Sequence, residues 1–257
     1  MTVKGVIFDF GFTLFYFKEV SIEKYMNCYK KGLNDSIEHL KQSNIINTNE
    51  ITREFKNIFV SSRKVFFERS RINNFEYTTA YIFQHVLERL INKGLIAEKS
   101  AQIPFLIEEL ADIYHSYEEN EWIPFSYTRE TLDNLSRKKK LKLAVLSNHP
   151  HHRMIQNLLK KYDFCHYFDT VITSAKYGRR KPDPSIFIHA LEMMGLKGHA
   201  EECFMCGDEH ADIVGGHEVG LKTILCERSY KFPFEKVIKF DDFFRVSDIS
   251  EILNYLE

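Results

Sequence analysis

The chain has 257 residues, 44 % hydrophobic and 28 % charged, which is the balance of an ordinary packed globular protein. Its formal net charge of −1 provides no basic excess for binding nucleic acid or an anionic membrane surface, and we expect neither partner. No apolar stretch approaches the roughly 20 residues of a membrane-spanning helix, and the scattered cysteines are typical of reduced thiols. Because the N-terminus also lacks the pattern of a secretory signal, we predict a cytoplasmic protein.

The first predicted element is a strand over residues 3–10, a continuous apolar and β-branched run that ends in an acid and a glycine. Strands buried on both faces, as in parallel sheets, have this composition. From residue 17 to 119 the pattern changes, and apolar residues recur at helical spacing over 51–67, 77–90 and 105–117. We predict that this segment is a helical insertion.

Strands and helices alternate in the remainder of the chain. The predicted strands cover residues 141–146, 170–173, 202–206 and 223–226. The predicted helices cover residues 128–139, 151–162, 184–194 and 212–219, followed by a last helix that runs from Ser247, as its N-cap, to residue 255. Strands that alternate with helices form βαβ units, so we predict an α/β fold with a doubly wound parallel sheet.

Polar side chains stand at the carboxyl ends of three predicted strands. Asp9, Ser147 and Asp208 each occupy such a position. In open α/β sheets the ligand binds beyond these strand ends, so the three side chains are expected to converge on one site.

The residues at and near these strand ends match the needs of phosphoryl transfer. Asp9 supplies an anionic nucleophile, Ser147 a hydroxyl donor and Lys181 a fixed positive charge. Asp208 and Asp212, about one helical turn apart, supply carboxylates for a cation, and hard oxygen ligands of this kind suit Mg²⁺.

Taken singly, each of these motifs also has a structural interpretation. Ser147 and Asn148 could form a turn, the residues from Lys181 to Pro184 a rigid helix entry, and Asp208 a helix N-cap. Their combination, in order and at matching strand ends, favours a catalytic site.

In this combination the chain resembles the haloacid dehalogenase superfamily, most closely over residues 122–228. Four motifs carry the resemblance: Asp9 with Thr13 four residues on, Ser147, Lys181 before Pro182-Asp183-Pro184, and Gly207-Asp208 with Asp212. The resemblance implies a Rossmann-like core over residues 1–16 and 120–257. It also implies that the helical insertion, residues 17–119, is the family's first class of cap domain.

The resemblance further implies a role for each motif residue. Asp9 would attack phosphorus and form an aspartyl-phosphate, Ser147 would hydrogen-bond the phosphoryl oxygens, and Lys181 would hold the nucleophile. Mg²⁺ would be bound by Asp9, Asp208, Asp212 and the backbone carbonyl of Gly11. Thr13 and Asn148 would support the loop and the phosphate site. Independently of the resemblance, His149 follows the Ser147 strand end at the mouth of the predicted site, and of the histidines there we expect it to touch a small phosphorylated substrate.

The sequence departs from the family at Gly11. Phosphatases of the superfamily normally carry a second Asp there, as the general acid that protonates the leaving oxygen, and a Gly where this chain has Phe12. General acid–base catalysis contributes about 10²–10⁴-fold to rate. A replacement donor could be a water, a cap residue, Tyr16, Glu19, His149 or His210.

Four functions are consistent with this departure. The first is a magnesium-dependent phosphatase, which we favour. The second is a phosphate-binding or regulatory protein without turnover. The third is a haloacid dehalogenase, although that branch has Tyr in place of Gly11 and needs no metal. The fourth is a phosphonatase, although no cap lysine identifies itself as the Schiff-base residue that its chemistry needs. The substrate and the oligomeric state stay open.

Two further patterns have simpler interpretations. Cys203 and Cys206 spell CxxC, but lie within a predicted strand where residues three apart face opposite sides, so we expect buried thiols rather than a metal site. His149, His151 and His152 are expected to begin a helix in contact with solvent rather than to bind zinc.

Overall fold

The computed structural model describes residues 2–97, 104–232 and 235–256, and divides into two compact units, residues 1–20 with 121–257 and residues 21–120. The strands are β1 Gly5–Phe8, β2 Phe15–Phe17, β3 Trp122–Pro124, β4 Lys142–Ser147, β5 Thr170–Thr173, β6 Cys203–Gly207, β7 Lys222–Cys226 and β8 Phe244–Val246. The α-helices are α1 Ile22–Gln42, α2 Asn49–Asn73, α3 Thr79–Asn92, α4 Pro104–Glu119, α5 Thr128–Asp133, α6 His152–Lys161, α7 Ser174–Tyr177, α8 Pro184–Met193 and α9 His210–Glu218.

The first unit contains a six-stranded sheet among the described residues. Its strand order is β5-β4-β1-β6-β7-β8, and every neighbouring pair is parallel. The chain moves from the centre of the sheet outward on both sides, which is the pattern of a doubly wound sheet. The predicted α/β fold is confirmed.

The central strand β1 is buried along its whole length, between β4 and β6. On one face of the sheet Ile7 packs with Leu146 and Met205, and residues of α8, including Phe187, complete this cluster. Each such side chain contributes about 1.5–3 kcal/mol when it is fully buried. The buried centre fixes the positions of the residues that follow β1, β4 and β6.

The predicted elements agree with the observed ones to within a few residues, with two corrections. The predicted helix over 128–139 is α-helical only to Asp133 and continues as a π-helical turn, Asn134–Lys138. The last helix is a 3₁₀ helix, Ile249–Tyr255, and its N-cap is Asp248 instead of Ser247. Serine and aspartate are both good caps, and here the Asp248 carboxylate accepts a hydrogen bond of 2.8 Å from Ser250 N.

The sequence analysis missed an antiparallel ribbon of two short strands. In this ribbon β2 pairs with β3, and Phe17 lies opposite Trp122. Each strand has only three residues, too few for a periodic pattern to be recognised. The ribbon belongs to the first unit, although the whole helical unit separates its strands in sequence.

The second unit, residues 21–120, consists of the helices α1 to α4 with a core of their own. The first three helices begin at Ser21, Thr48 and Thr78, whose hydroxyls accept hydrogen bonds of 3.0–3.1 Å from the backbone N–H three residues on. In α1, a Cβ on Gly32 would lie 2.0 Å from the Tyr114 carbonyl oxygen, so glycine allows α1 and α4 to approach closely.

None of the helices within the described residues is long and apolar enough to cross a membrane. All five cysteines are free thiols. Cys203 and Cys206 are both buried in β6, which confirms the interpretation of the CxxC pattern.

Candidate active site

Three neighbouring strands bring the predicted polar residues to one edge of the sheet. Asp9 follows β1, Ser147 ends β4 and Asp208 follows β6. β1 lies between the other two strands, and the backbone N–H of Asp9 donates a 2.8 Å hydrogen bond to the Cys206 carbonyl. Asp9, Ser147 and Asp208 are all buried, each less than 9 % exposed.

Lys181 forms ion pairs with both Asp9 and Asp212. Its Nζ lies 2.6 Å from Asp9 Oδ1 and 2.6 Å from Asp212 Oδ1, and it donates a 2.7 Å hydrogen bond to the Leu146 carbonyl. The residue comes from the loop before α8, and its side chain is 3 % exposed. Burial alone would lower the pKa of Lys181, but the charges of Asp212 and Asp9 outweigh this and hold the pKa above its ordinary value.

Asn148 fixes the backbone at Lys181. Its side-chain nitrogen donates to the Lys181 carbonyl at 2.9 Å, and its side-chain oxygen accepts from the Lys181 N–H at 2.8 Å. Both polar groups of the amide are therefore engaged with the chain. In this arrangement Asn148 positions the lysine, which explains why an amide follows the Ser147 strand end.

The acid pair is held by the start of α9. Glu209 is the N-cap, and its N–H donates a 3.0 Å hydrogen bond to Asp212 Oδ2 within a capping box. A Cβ on Gly207 would lie 2.3 Å from Asp212 Cγ, so glycine is required for the carboxylate to rest against the strand end. Burial, and then the charge of Asp9, raise the pKa of Asp212 to about 6, with Lys181 opposing this rise.

The donor atoms of this cluster suit a hard cation. One carboxylate oxygen each from Asp9, Asp208 and Asp212 lie within 4.8 Å of one another, and all three residues are buried. Mutually repelling carboxylates at such distances are stabilised by a cation, and Mg²⁺ prefers oxygen ligands of this type. The residues present therefore fit the magnesium site that the sequence predicts.

An arginine that the sequence analysis did not single out contacts this cluster. Arg228 Nη1 donates to Asp208 Oδ2, and Nη2 donates to Glu235 Oε1 at 2.6 Å. Its guanidinium lies 5.3 Å from the Phe12 ring centre and 5.2 Å from that of Phe232. Arg228 follows β7 by two residues at the same edge of the sheet, and that position was the signal that could have identified it.

Aromatic side chains occupy the space beside Gly11. A Cβ on this glycine would lie 2.9 Å from Trp122 Cη2. Phe12 has a φ of +55°, a left-handed conformation that favours glycine and explains why the family has glycine there. The Phe12 ring packs edge-on against Trp122 and Phe232, with ring centres 5.3 and 5.8 Å apart.

The remaining predicted residues are placed as follows. Thr13 is fully buried, and its hydroxyl has no hydrogen-bond partner among the described residues. His149 Nδ1 lies 2.9 Å from the His151 carbonyl. The expectation of a solvent-exposed helix start was wrong, because His151 is buried and His152 Nδ1 lies 2.9 Å from Thr173 Oγ1 on β5.

Glu209 was also not predicted. Its side chain is half-exposed, at 48 %. Desolvation of the carboxyl group, and then the charges of Asp212 and Asp9, raise the pKa of Glu209 to about 7.

A doubly wound parallel sheet with an acidic, lysine-bridged cluster at its carboxyl edge defines an α/β enzyme whose chemistry takes place at the strand ends. The chain belongs to the haloacid dehalogenase-like hydrolase family, whose sequence model matches residues 6–226. The family predicted from the four motifs is confirmed.

Individual relatives include two phosphatases. The chain is 31 % identical over 127 residues to a phosphoglycolate phosphatase of Aquifex aeolicus, covering 48 % of this chain and 58 % of that protein. It is 30 % identical over 158 residues to the pyrophosphatase PpaX of Bacillus cereus, covering 58 % and 69 %. The match spans only part of each relative's length.

The fold also matches a solved structure, that of a 2-haloacid dehalogenase from Pseudomonas syringae. The TM-score is 0.67 at 19 % sequence identity, over 99 % of this chain and 98 % of that one. At this level of identity the similarity concerns the fold.

Proposed function

We propose that this protein is a magnesium-dependent phosphatase that hydrolyses a small phosphorylated metabolite through an aspartyl-phosphate on Asp9. The observation that carries the proposal is the buried Lys181, 2.6 Å from both Asp9 and Asp212, beside a cluster of carboxylates that fits a divalent cation. Similarity to a phosphoglycolate phosphatase and to a pyrophosphatase supports the same reaction class. The five free cysteines support a reducing, cytoplasmic location.

In the first step a carboxylate oxygen of Asp9 attacks phosphorus. The bond from phosphorus to the leaving oxygen breaks, and its electron pair stays on that oxygen. Lys181 Nζ donates to Asp9 Oδ1 and holds this carboxylate in position, and Ser147 donates its hydroxyl to a phosphoryl oxygen. Mg²⁺, held by Asp9, Asp208, Asp212 and the Gly11 carbonyl, would neutralise the charge on the phosphoryl oxygens.

In the second step water attacks the phosphorus of the aspartyl-phosphate. The bond between phosphorus and Asp9 breaks, and its electron pair restores the carboxylate. The proton of the water passes to phosphate or solvent. Lys181 stabilises the returning carboxylate, and the 2.8 Å hydrogen bond from Asp9 N to the Cys206 carbonyl keeps the residue in place throughout the cycle.

We further propose that the helical unit, residues 21–120, selects the substrate, as the cap domain does in the family that the chain resembles.

The test of the phosphatase proposal is turnover of p-nitrophenyl phosphate and acetyl phosphate by the purified protein. We expect release of phosphate with Mg²⁺, its loss on chelation and its recovery when the metal is returned. Asp9→Asn should abolish it, whereas Asp163→Asn, at a residue whose side chain is 83 % exposed, should not. Consumption of chloroacetate alone, without metal, would instead establish a dehalogenase.

The second candidate function is a phosphate-binding protein without turnover, and the aromatic filling beside Gly11 is the observation that favours it. Calorimetry with inorganic phosphate and Mg²⁺ separates the two functions. Phosphate binding without hydrolysis of either phosphorylated compound would support the binding protein and overturn the phosphatase.

A further inference from the structure

The loop that follows the nucleophile carries no side chain suited to donating a proton to the leaving group. Residues 10–15 are Phe, Gly, Phe, Thr, Leu and Phe, and none has a side chain that titrates near neutral pH. The acids that surround Asp9 are already engaged, because Asp212 faces Lys181 and Asp208 faces Arg228. The proposed first step therefore lacks a group from this loop that would protonate the leaving oxygen.

The space beside Gly11 is occupied by the indole ring of Trp122. At Gly11, where a side chain would project, the nearest atoms are Cη2, Cζ3 and Cζ2 of Trp122, at 2.9, 3.4 and 3.7 Å from an ideal Cβ. These are the outer atoms of the six-membered ring of the indole and offer neither a proton nor a hydrogen bond acceptor. A side chain at Gly11 therefore has no room without movement of the ring.

The indole is held firmly in this position. Trp122 is 6 % exposed, and its backbone is paired with Phe17 in the β2–β3 ribbon. The rings of Phe10, Phe12 and Phe17 surround it, with ring centres at 6.0, 5.3 and 5.3 Å. Edge-to-face pairs of this kind stabilise an aromatic cluster beyond simple burial. Displacing the ring would disrupt several contacts at once, so it is a fixed wall of the site.

The lack of a proton donor in the nucleophile loop selects substrates by their leaving group. Without a donor from this loop, the electron pair released on cleavage of the bond from phosphorus to oxygen must be accommodated by the leaving group itself. A carboxylate or a phenolate can leave as an anion, whereas an alkoxide cannot do so at a useful rate without a proton.

We propose that this enzyme acts on phosphates with stabilised anionic leaving groups, namely acyl and aryl phosphates, because Gly11 supplies no acid and Trp122 fills the space in which an acidic side chain would stand. The proposal rests on the phosphatase function proposed above. It adds a substrate class, and a residue far from Asp9 in sequence, Trp122, that excludes an acidic side chain from position 11.

The test is the dependence of kcat/KM on the leaving group, since this ratio reports the step in which the aspartyl-phosphate forms. The substrates are acetyl phosphate, a series of substituted phenyl phosphates of rising phenol pKa, and glycerol phosphate as the alkyl ester. We expect kcat/KM to fall steadily along the phenyl series. Glycerol phosphate should be slower than acetyl phosphate by about 10²–10⁴-fold, the usual contribution of a general acid.

Variants at Gly11 and Trp122 test whether the indole ring excludes an acid from the loop. Gly11→Asp alone should not improve turnover of glycerol phosphate, because Trp122 occupies the space of the new side chain. In Gly11→Asp/Trp122→Ala the acid has room, and the ratio of glycerol phosphate to acetyl phosphate turnover should rise at least about ten-fold. Trp122→Ala alone, which opens the wall without adding an acid, is the matched control and should leave the ratio low. Because each comparison is a ratio within one protein, partial misfolding does not affect it.

The outcomes separate the two proposals. If the wild-type protein cleaves glycerol phosphate and acetyl phosphate within ten-fold of each other, the leaving-group inference is overturned while the phosphatase function stands. A flat dependence that becomes steep in Glu209→Gln would overturn it as well, by assigning the donor role to Glu209. If no phosphate ester or acyl phosphate is hydrolysed at all, the proposed function fails and the inference fails with it.

Discussion

The two sides of the Asp9 loop differ in their side chains: one side is charged and the other is aromatic. On the metal side, Asp9, Asp208, Asp212 and Lys181 form a closely spaced, buried network in which every member has a charged partner. On the other side, Gly11 faces an aromatic wall without an ionisable group. In the function proposed above, the first side would bind the phosphoryl group and the cation, whereas the second would supply no proton to the leaving group. The following predictions test whether the two sides are independent in this way.

The largest effect is expected from replacing Lys181, which pairs with both Asp9 and Asp212. Lys181→Met leaves the carboxylates of Asp9 and Asp212 buried without their partner, and losing one member of a buried ion pair costs about 3–5 kcal/mol. Urea denaturation should show this loss of stability, and phosphatase activity should disappear. Lys197→Met is the matched control, because its ion pair with Glu192 lies at the surface, and it should leave activity unchanged.

Crowding the acid pair should weaken metal binding. In Gly207→Ala the new Cβ would lie 2.3 Å from Asp212 Cγ and must displace the carboxylate. We expect the Kd for Mg²⁺, measured by calorimetry, to rise by about ten-fold or more, equivalent to ~1.4 kcal/mol. Gly5→Ala is the control, because its Cβ meets the Leu196 side chain at 2.7 Å at the opposite end of β1. An unchanged Kd in Gly207→Ala would show that Asp212 does not contribute to the metal site.

Removing Arg228, the arginine that contacts Asp208, should instead strengthen the binding of Mg²⁺. Arg228 and a bound cation compete for the same carboxylate, and a hydrogen bond to a charged group is worth about 1.5–3 kcal/mol. Arg228→Gln should therefore bind Mg²⁺ about ten-fold more tightly by calorimetry. Arg245→Gln, whose ion pair with Glu227 is exposed, should bind as the wild type does. Weaker binding in Arg228→Gln would mean that the arginine supports the metal site.

The smallest effect is expected on the aromatic side. Phe12 adopts a φ of +55°, which costs a non-glycine residue roughly 1 kcal/mol. Both Phe12→Ala and Phe12→Gly lose the contacts with Trp122 and Phe232, but only glycine relieves the strain. Phe12→Gly should therefore be more stable in urea than Phe12→Ala by about 0.5–1 kcal/mol. The reverse order would show that backbone strain is not present at this position.

Local patterns predicted most of the fold and the acidic side of the site. Asp9, Ser147 and Asp208 could be located because strand ends are recognisable from apolar runs, and parallel strands bring those ends to one edge. Lys181 could be located only through its motif, because the loop that carries it has no periodic signal.

The contacts that were missed depend on tertiary structure. Trp122 meets Gly11 only because β2 and β3 pair across the inserted helical unit, and three-residue strands have no recognisable pattern. Arg228 reaches Asp208 from the end of β7, a neighbour known only once the strand order is known. Partial desolvation of the Glu209 carboxyl group and the nearby charges of Asp212 and Asp9 raise its pKa, and these too depend on packing that the sequence does not display.

The measurement that tests the central claim most directly is the detection of a phosphoryl group on Asp9. The protein is mixed with acetyl phosphate and Mg²⁺, quenched in acid within the first turnovers, and analysed by peptide mass spectrometry. We predict the added mass of one phosphoryl group on the peptide that contains Asp9, its absence without metal and its absence in Asp9→Asn. Steady turnover with no phosphorylated peptide, or with the phosphoryl group on another residue, would contradict the account.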